Sequence, residues 1–296
     1  MQTLREIRRL LGEAALRPRK QLGQSFLIDG NLLGKLVELA ELTGGETVLE
    51  VGPGTGSLTE ELLDRAARVV AVEIDRGLCD LLRRRLGERE NFKLIGGDVL
   101  AGKHALSPAV LDAVGPGTHL VSNLPYQIAT PLLVECLVQS WRAARGAGRT
   151  ECGFQRLTFT VQREVADRLT ASPGGRAYGP VSVVIALLGH IRLGPTVPAS
   201  AFWPRPKVAG RIVRIDFDRD RAKRLGDCGT LTTVLGLSFG QRRKQIGSVS
   251  RRASAAFGGP ALEAALAAAG IDPTSRPEAI SPEQFLTMAN ALGRGE

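Results

Sequence analysis

The 296-residue sequence is poor in the residues that form metal centres and disulfides, and it has no long apolar segment. It contains three histidines and four cysteines, and no two cysteines form a CxxC pair. The wide spacing of these residues argues against a zinc site. The four cysteines are interpreted as free thiols in a reducing compartment. No run approaches the ~20 apolar residues of a membrane helix, and the first residues lack the apolar core of a signal peptide. We therefore expect no metal, no membrane-spanning segment and a cytoplasmic location.

Acidic residues are also in the minority. The chain has 30 Asp and Glu against 39 Lys and Arg, which leaves a net charge of +9. Such an excess favours a polyanionic partner, either a nucleic acid or an anionic membrane surface, and does not choose between them. Hydrophobic residues make up 43% of the chain, which is typical of a globular protein. The length predicts about two domains.

The middle of the chain alternates between strand-like and helix-like segments, which predicts βαβ units and a mostly parallel sheet. Two later strands, about 191–197 and 211–217, are close enough in sequence to form an antiparallel pair at one edge. From Leu225 onward the pattern is helical. Candidate parallel strands are Thr47–Val51, Arg68–Ile74, Phe92–Ile95, His119–Ser122 and Leu157–Val161.

Charge and composition divide the chain into three predicted parts. Residues 1–24 are interpreted as a basic N-terminal arm, residues 25–218 as an α/β domain, and residues 219–296 as a small helical domain. The Arg- and Gly-rich stretch 141–156 is predicted to be an insertion or a mobile loop.

A glycine-rich loop follows the first predicted parallel strand and opens a helix. Its sequence, Gly52-Pro53-Gly54-Thr55-Gly56, lets the backbone turn tightly and approach a ligand, although an ordinary strand–helix turn explains it equally well when taken alone. Glu73 ends the second strand, where a carboxylate can bind a ribose diol. Asp98 ends the third, where a carboxylate can accept from an adenine amine. Together the three features indicate a nucleoside-containing cofactor.

This trio resembles the S-adenosylmethionine-dependent methyltransferases. The resemblance implies a Rossmann-like sheet of seven strands with the last one antiparallel, which agrees with the predicted edge pair. It also implies S-adenosylmethionine as methyl donor, with Gly52 and Gly54 near its methionine part, Glu73 at the ribose and Asp98 at the adenine.

A second motif, Asn123-Leu124-Pro125-Tyr126, follows the fourth strand. The lone pair of an adenine amine is delocalised into the ring, so the amine is a poor nucleophile. An amide oxygen and a backbone carbonyl can hold its two hydrogens and direct its lone pair at an electrophile. Pro125 stiffens the turn, and Tyr126 offers a face on which a flipped-out base can stack. A plain Asn-Pro turn beside a core tyrosine is the simpler alternative.

Four further segments of the sequence, given at the end of this paragraph, indicate one family of methyltransferases. They resemble, in the same order, conserved segments of the housekeeping (KsgA/RsmA type) ribosomal RNA adenine dimethyltransferases. That resemblance implies two methyl groups on N6 of each of two adjacent adenosines near the 3′ end of small-subunit RNA. The segments are Lys20–Leu27 (KQLGQSFL), Gln162–Leu169 (QREVADRL), Ala177–Gly179 (AYG) and Phe202–Val208 (FWPRPKV).

The resemblance also assigns residues. Ser25, Leu27 and Asn123 are expected at the cofactor, and Tyr126 and Phe202 on the two faces of the target adenine. Ser25 stands where the family usually has Asn. We expect a monomer that acts on ribosomal RNA within a pre-ribosomal small subunit and binds no membrane. Candidate RNA-binding residues are Arg19, Lys20, Arg205, Lys207, Arg242, Arg243 and Lys244.

Two alternatives remain open at this stage. A macrolide-resistance type methylase, which modifies an adenine of large-subunit RNA, shares the Asn-Leu-Pro-Tyr region. A ribosome-assembly binding factor with little catalysis could use the same fold.

Overall fold

The chain is divided into two structural units, and the second unit is built from two separate stretches of sequence. In this computed structural model, which describes residues 1–102, 105–146, 152–248 and 257–293, unit 1 comprises Met1–Ala166 and Ile191–Phe217. Unit 2 comprises Asp167–His190 and Asp218–Glu296.

The strands of the described ranges form one large and one small sheet. They are β1 (Phe26–Leu27), β2 (Thr47–Val51), β3 (Arg68–Glu73), β4 (Phe92–Gly96), β5 (Thr118–Asn123), β6 (Phe154–Gln162), β7 (Gly189–Val197), β8 (Phe202–Trp203) and β9 (Gly210–Phe217).

The large sheet has seven strands in the order β4-β3-β2-β5-β6-β9-β7. Strands β2 to β6 pair in parallel, and β9 pairs antiparallel with β6. The valines of β3 are buried, as expected for a parallel strand covered on both faces. The predicted seven-stranded sheet with an antiparallel last strand is therefore confirmed.

The small sheet is an antiparallel pair in unit 1. It joins β1 to β8, with Phe26 opposite Trp203 and Leu27 opposite Phe202. The sequence did not predict this pair, because two residues are too few to show a period.

Helices connect and cover the strands. None of the helices in the described ranges is both long and apolar enough to cross a membrane. They are α1 (Leu4–Glu13), α2 (Gly30–Ala40), α3 (Ser57–Leu63), α4 (Arg76–Leu86), α5 (Pro108–Leu111), α6 (Ala129–Ala144), α7 (Arg163–Leu169), α8 (Pro180–Leu188), α9 (Arg219–Lys223), α10 (Cys228–Gly240), α11 (Gly259–Ala268) and α12 (Pro282–Leu292).

Residues 1–24 differ from the predicted arm, because α1 is part of unit 1 and packs against its core. A capping box between Thr3 and Glu6 starts the helix. Ile7 and Leu11 then lie on one face and are buried against Phe26 and Leu78. The six Lys and Arg residues of this segment indicated a basic arm, although Ile7, Leu10 and Leu11 recur at helical spacing.

Residues 167–190 also differ from their predicted place in the first domain. Tyr178 is buried in unit 2, and its hydroxyl donates to the Ile280 carbonyl at 2.9 Å. The Gly174 amide donates to the Glu278 carbonyl at 2.6 Å. The sequence predicted a single passage from the α/β domain to the helical domain, near residue 219, whereas the chain enters unit 2 twice.

The stretch 141–156 is in part regular structure. Residues 141–144 continue α6, and β6 begins at Phe154. Residues 147–151 lie outside the described residues, so the predicted insertion or mobile loop stays a prediction there.

We expect Leu11→Ala to lower the free energy of unfolding by about 2–4 kcal/mol, because Leu11 is buried on the inner face of α1. Urea unfolding of the whole chain measures this change. Arg9→Ala on the exposed face of α1 is the control, since its ion pair with Glu13 is exposed and should contribute at most ~1 kcal/mol. Equal small effects of the two substitutions would mean that α1 is a detached arm.

Candidate active site

A cavity of about 280 Å³ lies at the carboxyl ends of the parallel strands in unit 1. The strand order reverses between β2 and β5, which is the place where open α/β sheets bind ligands. Its lining includes the glycine-rich loop, Glu73, Asp98, the segment 22–27 and the segment 123–128. The structure therefore brings the two sequence motifs into one site.

The glycine-rich loop needs its glycines for two reasons. Gly52 and Gly54 have φ angles of +73° and +62°, which L side chains rarely adopt. A Cβ atom on Gly54 would lie 2.8 Å from Cε1 of Phe26, and one on Gly52 would lie 3.1 Å from Cγ of Pro125. The loop thus packs between β1 and the Asn-Leu-Pro-Tyr motif with no room for a side chain.

Glu73 and Asp98 both line the cavity, as the sequence predicted. The Glu73 carboxylate accepts from the Gly54 amide at 3.2 Å and from the Asp75 amide at 2.9 Å. Burial raises the pKa of Glu73 above its ordinary value, although these backbone amides oppose the shift. Asp98 is exposed, and its Oδ1 accepts from the Leu100 amide at 2.9 Å.

Glu50 is a third carboxyl group of the cavity, and sequence reasoning did not assign it a role. It is buried, and Oε2 has no hydrogen-bond partner among the described residues. Burial raises the pKa of Glu50 to about 8, and the nearby Glu73 charge adds to this shift. Its signal in the sequence was an acidic residue in the otherwise apolar strand Thr47–Val51.

These residues fit S-adenosylmethionine. The ligand carries positive charge together with hydroxyl and amine hydrogen-bond donors. The cavity presents three carboxyl groups, one of them with an unpaired buried oxygen, beside a glycine backbone that a ligand can approach closely. The part of the chain that the structure describes has no group of three or more His, Cys, Asp or Glu that could hold a metal ion.

Asn123 ends β5 with both ends of its side-chain amide held. Nδ2 donates to the Ser25 carbonyl at 3.0 Å, and Oδ1 accepts from the Thr160 hydroxyl. Sequence reasoning missed Thr160, because only the pairing of β5 with β6 brings it beside Asn123.

The rest of the motif lines the cavity as well. Leu124 is buried, and Pro125 lies against Gly52. Tyr126 is half-buried, and its hydroxyl has no hydrogen-bond partner among the described residues. Burial raises the pKa of Tyr126 to about 12, so the phenol stays neutral at physiological pH.

Three residues expected from the resemblance lie around β1 and β8. Ser25 and Leu27 line the cavity. The Ser25 hydroxyl donates to the Pro204 carbonyl at 2.8 Å, which ties this segment to β8. Phe202 is only 3% exposed and packs in the core with Leu27, and it is not among the residues that line the cavity. The structure therefore brings Tyr126, but not Phe202, to the cavity surface.

The predicted RNA-binding residues of unit 1 are mostly exposed. Lys20, Arg205 and Lys207 are exposed, whereas the exposed Arg19 is held by Asp75, with Nε 3.3 Å from Oδ2.

In unit 2, Arg243 and Lys244 are exposed. Arg242 is partly buried and donates to the Gly175 carbonyl at 3.2 Å. Arg242 therefore has a hydrogen-bond partner within unit 2.

Glu50 makes the stability of the ligand-free protein depend on pH. Because its pKa is raised from about 4.5 to about 8, the folded state keeps a proton that the unfolded state has lost between these values. Stability from this group therefore falls as pH rises. We expect Glu50→Gln, which cannot ionise, to gain stability relative to the parent by ~1 kcal/mol per pH unit from pH 5 to 8.

Urea unfolding at pH 5, 6.5 and 8 measures this difference. Glu38→Gln is the control, because Glu38 is exposed on α2 and forms a surface ion pair with Lys35. A difference between Glu50→Gln and the parent that does not change with pH would contradict the shift.

Comparison with known proteins shows the family of this chain. A family model described as Ribosomal RNA adenine dimethylase matches residues 15–293. The chain is 39% identical to Ribosomal RNA small subunit methyltransferase A of Phenylobacterium zucineum over 299 residues, which cover 100% of this chain and 96% of that protein. It is 40% identical to the protein of the same name from Paenarthrobacter aurescens over 296 residues, which cover 97% of this chain and 92% of that protein.

Two solved structures resemble the chain. The 23S rRNA methyltransferase ErmE has a TM-score of 0.60 at 26% identity, covering 90% of this chain and 99% of that one. A dimethyladenosine transferase from Plasmodium falciparum has a TM-score of 0.66 at 20% identity, covering 88% and 94%, and supports the fold. Because the family model spans most of the chain and the relatives match nearly their whole length, this chain belongs to the ribosomal RNA adenine dimethylase family.

Proposed function

We propose that this chain dimethylates the N6 amines of two adjacent adenosines near the 3′ end of small-subunit ribosomal RNA. The observation that carries the proposal is the Asn123–Tyr126 motif, which lines the predicted cofactor cavity and packs on Gly52. The relatives named Ribosomal RNA small subunit methyltransferase A support the choice of RNA.

Asn123 holds the reacting amine. Its Oδ1 has two lone pairs, and Thr160 uses one, so one remains for an N6 hydrogen. A backbone carbonyl of the motif accepts the second hydrogen, and the nitrogen lone pair then points out of the ring plane. When bound, S-adenosylmethionine would supply an activated methyl group whose bonding electrons would stay on the sulfonium sulfur. The proton displaced from the amine nitrogen would go to water.

The remaining residues bind the cofactor and orient the target adenine. Tyr126 stacks on the extruded adenine, and Pro125 and Gly52 keep the motif and the cofactor loop in contact. Glu73 binds the ribose hydroxyls, and Asp98 binds the adenine amine of the cofactor. No strong general base is required, because the sulfonium already activates the methyl group and positioning supplies much of the catalysis. A base contact by Phe202 would require its ring to leave the core.

The substrate is bound as part of a larger particle. Exposed basic residues contact phosphates, which contribute affinity without sequence choice. RNA shape within a pre-ribosomal small subunit selects the site. On this proposal the chain acts as a monomer in the cytoplasm and binds no membrane.

Two alternatives are weaker. Similarity to ErmE, at 26% identity, favours large-subunit RNA, but the relatives named for the small subunit reach 39% and 40% over nearly the full chain. A binding factor with little catalysis does not need an intact Asn-Leu-Pro-Tyr motif against the cofactor loop.

Asn123→Ala is expected to lower dimethyladenosine formation at least 100-fold, because the amine loses its side-chain acceptor. Unmethylated small subunits are incubated with S-adenosylmethionine, and the digested RNA is analysed by mass spectrometry. The matched control is Asn31→Ala at an exposed position of α2, which should leave the product yield unchanged. Product on large-subunit RNA alone would favour the first alternative. No product on either RNA, with cofactor binding intact, would favour the second.

Arg243→Gln with Lys244→Gln is expected to weaken binding to the small subunit and to reduce the slope of log affinity against log salt by about 1–2, because up to two phosphate contacts are lost. S-adenosylmethionine affinity should not change. Arg242 is left intact because it supports Gly175.

The matched control for this pair is Lys35→Gln with Arg84→Gln, which removes the same charge from exposed positions of unit 1. Filter binding at several salt concentrations measures the slopes. Equal slopes for the two double variants would contradict a local phosphate contact by Arg243 and Lys244.

A further inference from the structure

We infer that Thr160 is a positioning residue that orients the Asn123 amide for methyl transfer. This inference rests on the proposed function, since it assigns the way in which that same site presents its acceptor. Thr160 lies on β6 and is not among the residues that line the cavity, so it acts through Asn123.

The strand register brings the two side chains together. β5 and β6 are parallel neighbours, and Asn123 at the end of β5 pairs with Thr160. Thr160 is fully buried, and its hydroxyl donates to Oδ1 of Asn123. Thr160 lies on a central strand, where close packing restricts the rotamers of its buried side chain. The strand pairing therefore maintains the contact with Asn123.

The hydrogen bonds assign the two ends of the amide. The Ser25 carbonyl can only accept, so the amide atom that faces it is the NH2 nitrogen. The oxygen of Asn123 then faces Thr160, whose hydroxyl must donate. A flipped amide would set its oxygen against the Ser25 carbonyl, where two acceptors repel. Ser25 therefore excludes the wrong orientation, and Thr160 stabilises the correct one.

This orientation determines what the substrate meets. One lone pair of Oδ1 is occupied by Thr160, and the second lies in the plane of the amide. The free lone pair has a single direction because both ends of the amide are held. An N6 hydrogen that binds there is fixed relative to the cofactor cavity, which is the requirement for in-line transfer.

The same strand contains a matched control. Thr158 precedes Thr160 by two residues, so its side chain points to the same face of β6. It is equally buried, yet its hydroxyl has no hydrogen-bond partner among the described residues. It pairs with Val121 rather than with a polar residue. Replacing either threonine by valine makes the same change in shape and polarity, but only Thr160→Val removes a donor from Asn123.

The test compares the parent, Thr160→Val, Thr160→Ser and Thr158→Val. Single-turnover methylation of unmethylated small subunits measures the chemical step, and titration with S-adenosylmethionine measures cofactor affinity. We expect Thr160→Val to lower the maximal single-turnover rate about five- to tenfold, with the RNA concentration for half-maximal rate and the cofactor affinity within twofold of the parent. This fold-change matches the loss of one hydrogen bond. Thr160→Ser retains the donor and should restore the rate to within twofold, and Thr158→Val should react at the parent rate.

A second readout does not depend on activity. In protein labelled with 15N-asparagine, Asn123→Ala identifies the side-chain NH2 signals of Asn123. We expect two sharp, slowly exchanging signals in the parent, Thr160→Ser and Thr158→Val. Thr160→Val should broaden them and speed their exchange with solvent, because the amide is then held at one end only.

The outcomes separate the inference from the proposed function. Unchanged Asn123 signals and an unchanged rate in Thr160→Val would overturn the inference. So would an equal loss of rate in Thr158→Val, which would mean that packing in β6 matters rather than the hydroxyl. A parent without methyltransferase activity, together with the expected change in the Asn123 signals, would overturn the proposed function and leave the orienting contact established.

Discussion

The contact between Gly52 and Pro125 is the constraint on which the site depends. β2 and β5 are adjacent parallel strands, so the loop after one and the motif after the other meet at the same edge of the sheet. Their distance is so short that a methyl group on Gly52 would touch the Pro125 ring. On the proposed function, this contact would place a cofactor bound at the first loop next to an amine bound at the second motif.

The carboxyl groups around this contact differ in the hydrogen bonds that stabilise their charged form. Glu73 accepts two backbone amides, whereas Glu50 has an oxygen without a partner among the described residues and a pKa of about 8. A buried carboxyl of this kind lowers the stability of the empty protein at neutral pH and above. Such local destabilisation is common at binding sites, where polar groups are arranged for a ligand rather than for the empty fold.

The Asn123 amide of the Asn-Leu-Pro-Tyr motif is held at both ends. The Ser25 carbonyl and the Thr160 hydroxyl hold opposite ends of the Asn123 amide, and the Ser25 hydroxyl ties its own segment to β8. Ser25 stands where the family usually has Asn, and here its backbone and side chain both have structural partners. Residues from three distant parts of unit 1 thus fix one amide oxygen.

Local patterns in the sequence were sufficient to predict the parallel strands and the two later strands of the large sheet, the glycine-rich loop, the acids near the strand ends and the Asn-Leu-Pro-Tyr motif. Each of these depends on a few consecutive residues whose periodicity or backbone freedom is visible in the chain itself. Only the tertiary structure decided that α1 belongs to unit 1, that residues 167–190 join unit 2, that Phe202 is buried and that Thr160 contacts Asn123. These facts depend on contacts between residues far apart in sequence, which strand pairing and core packing select and which no local pattern encodes.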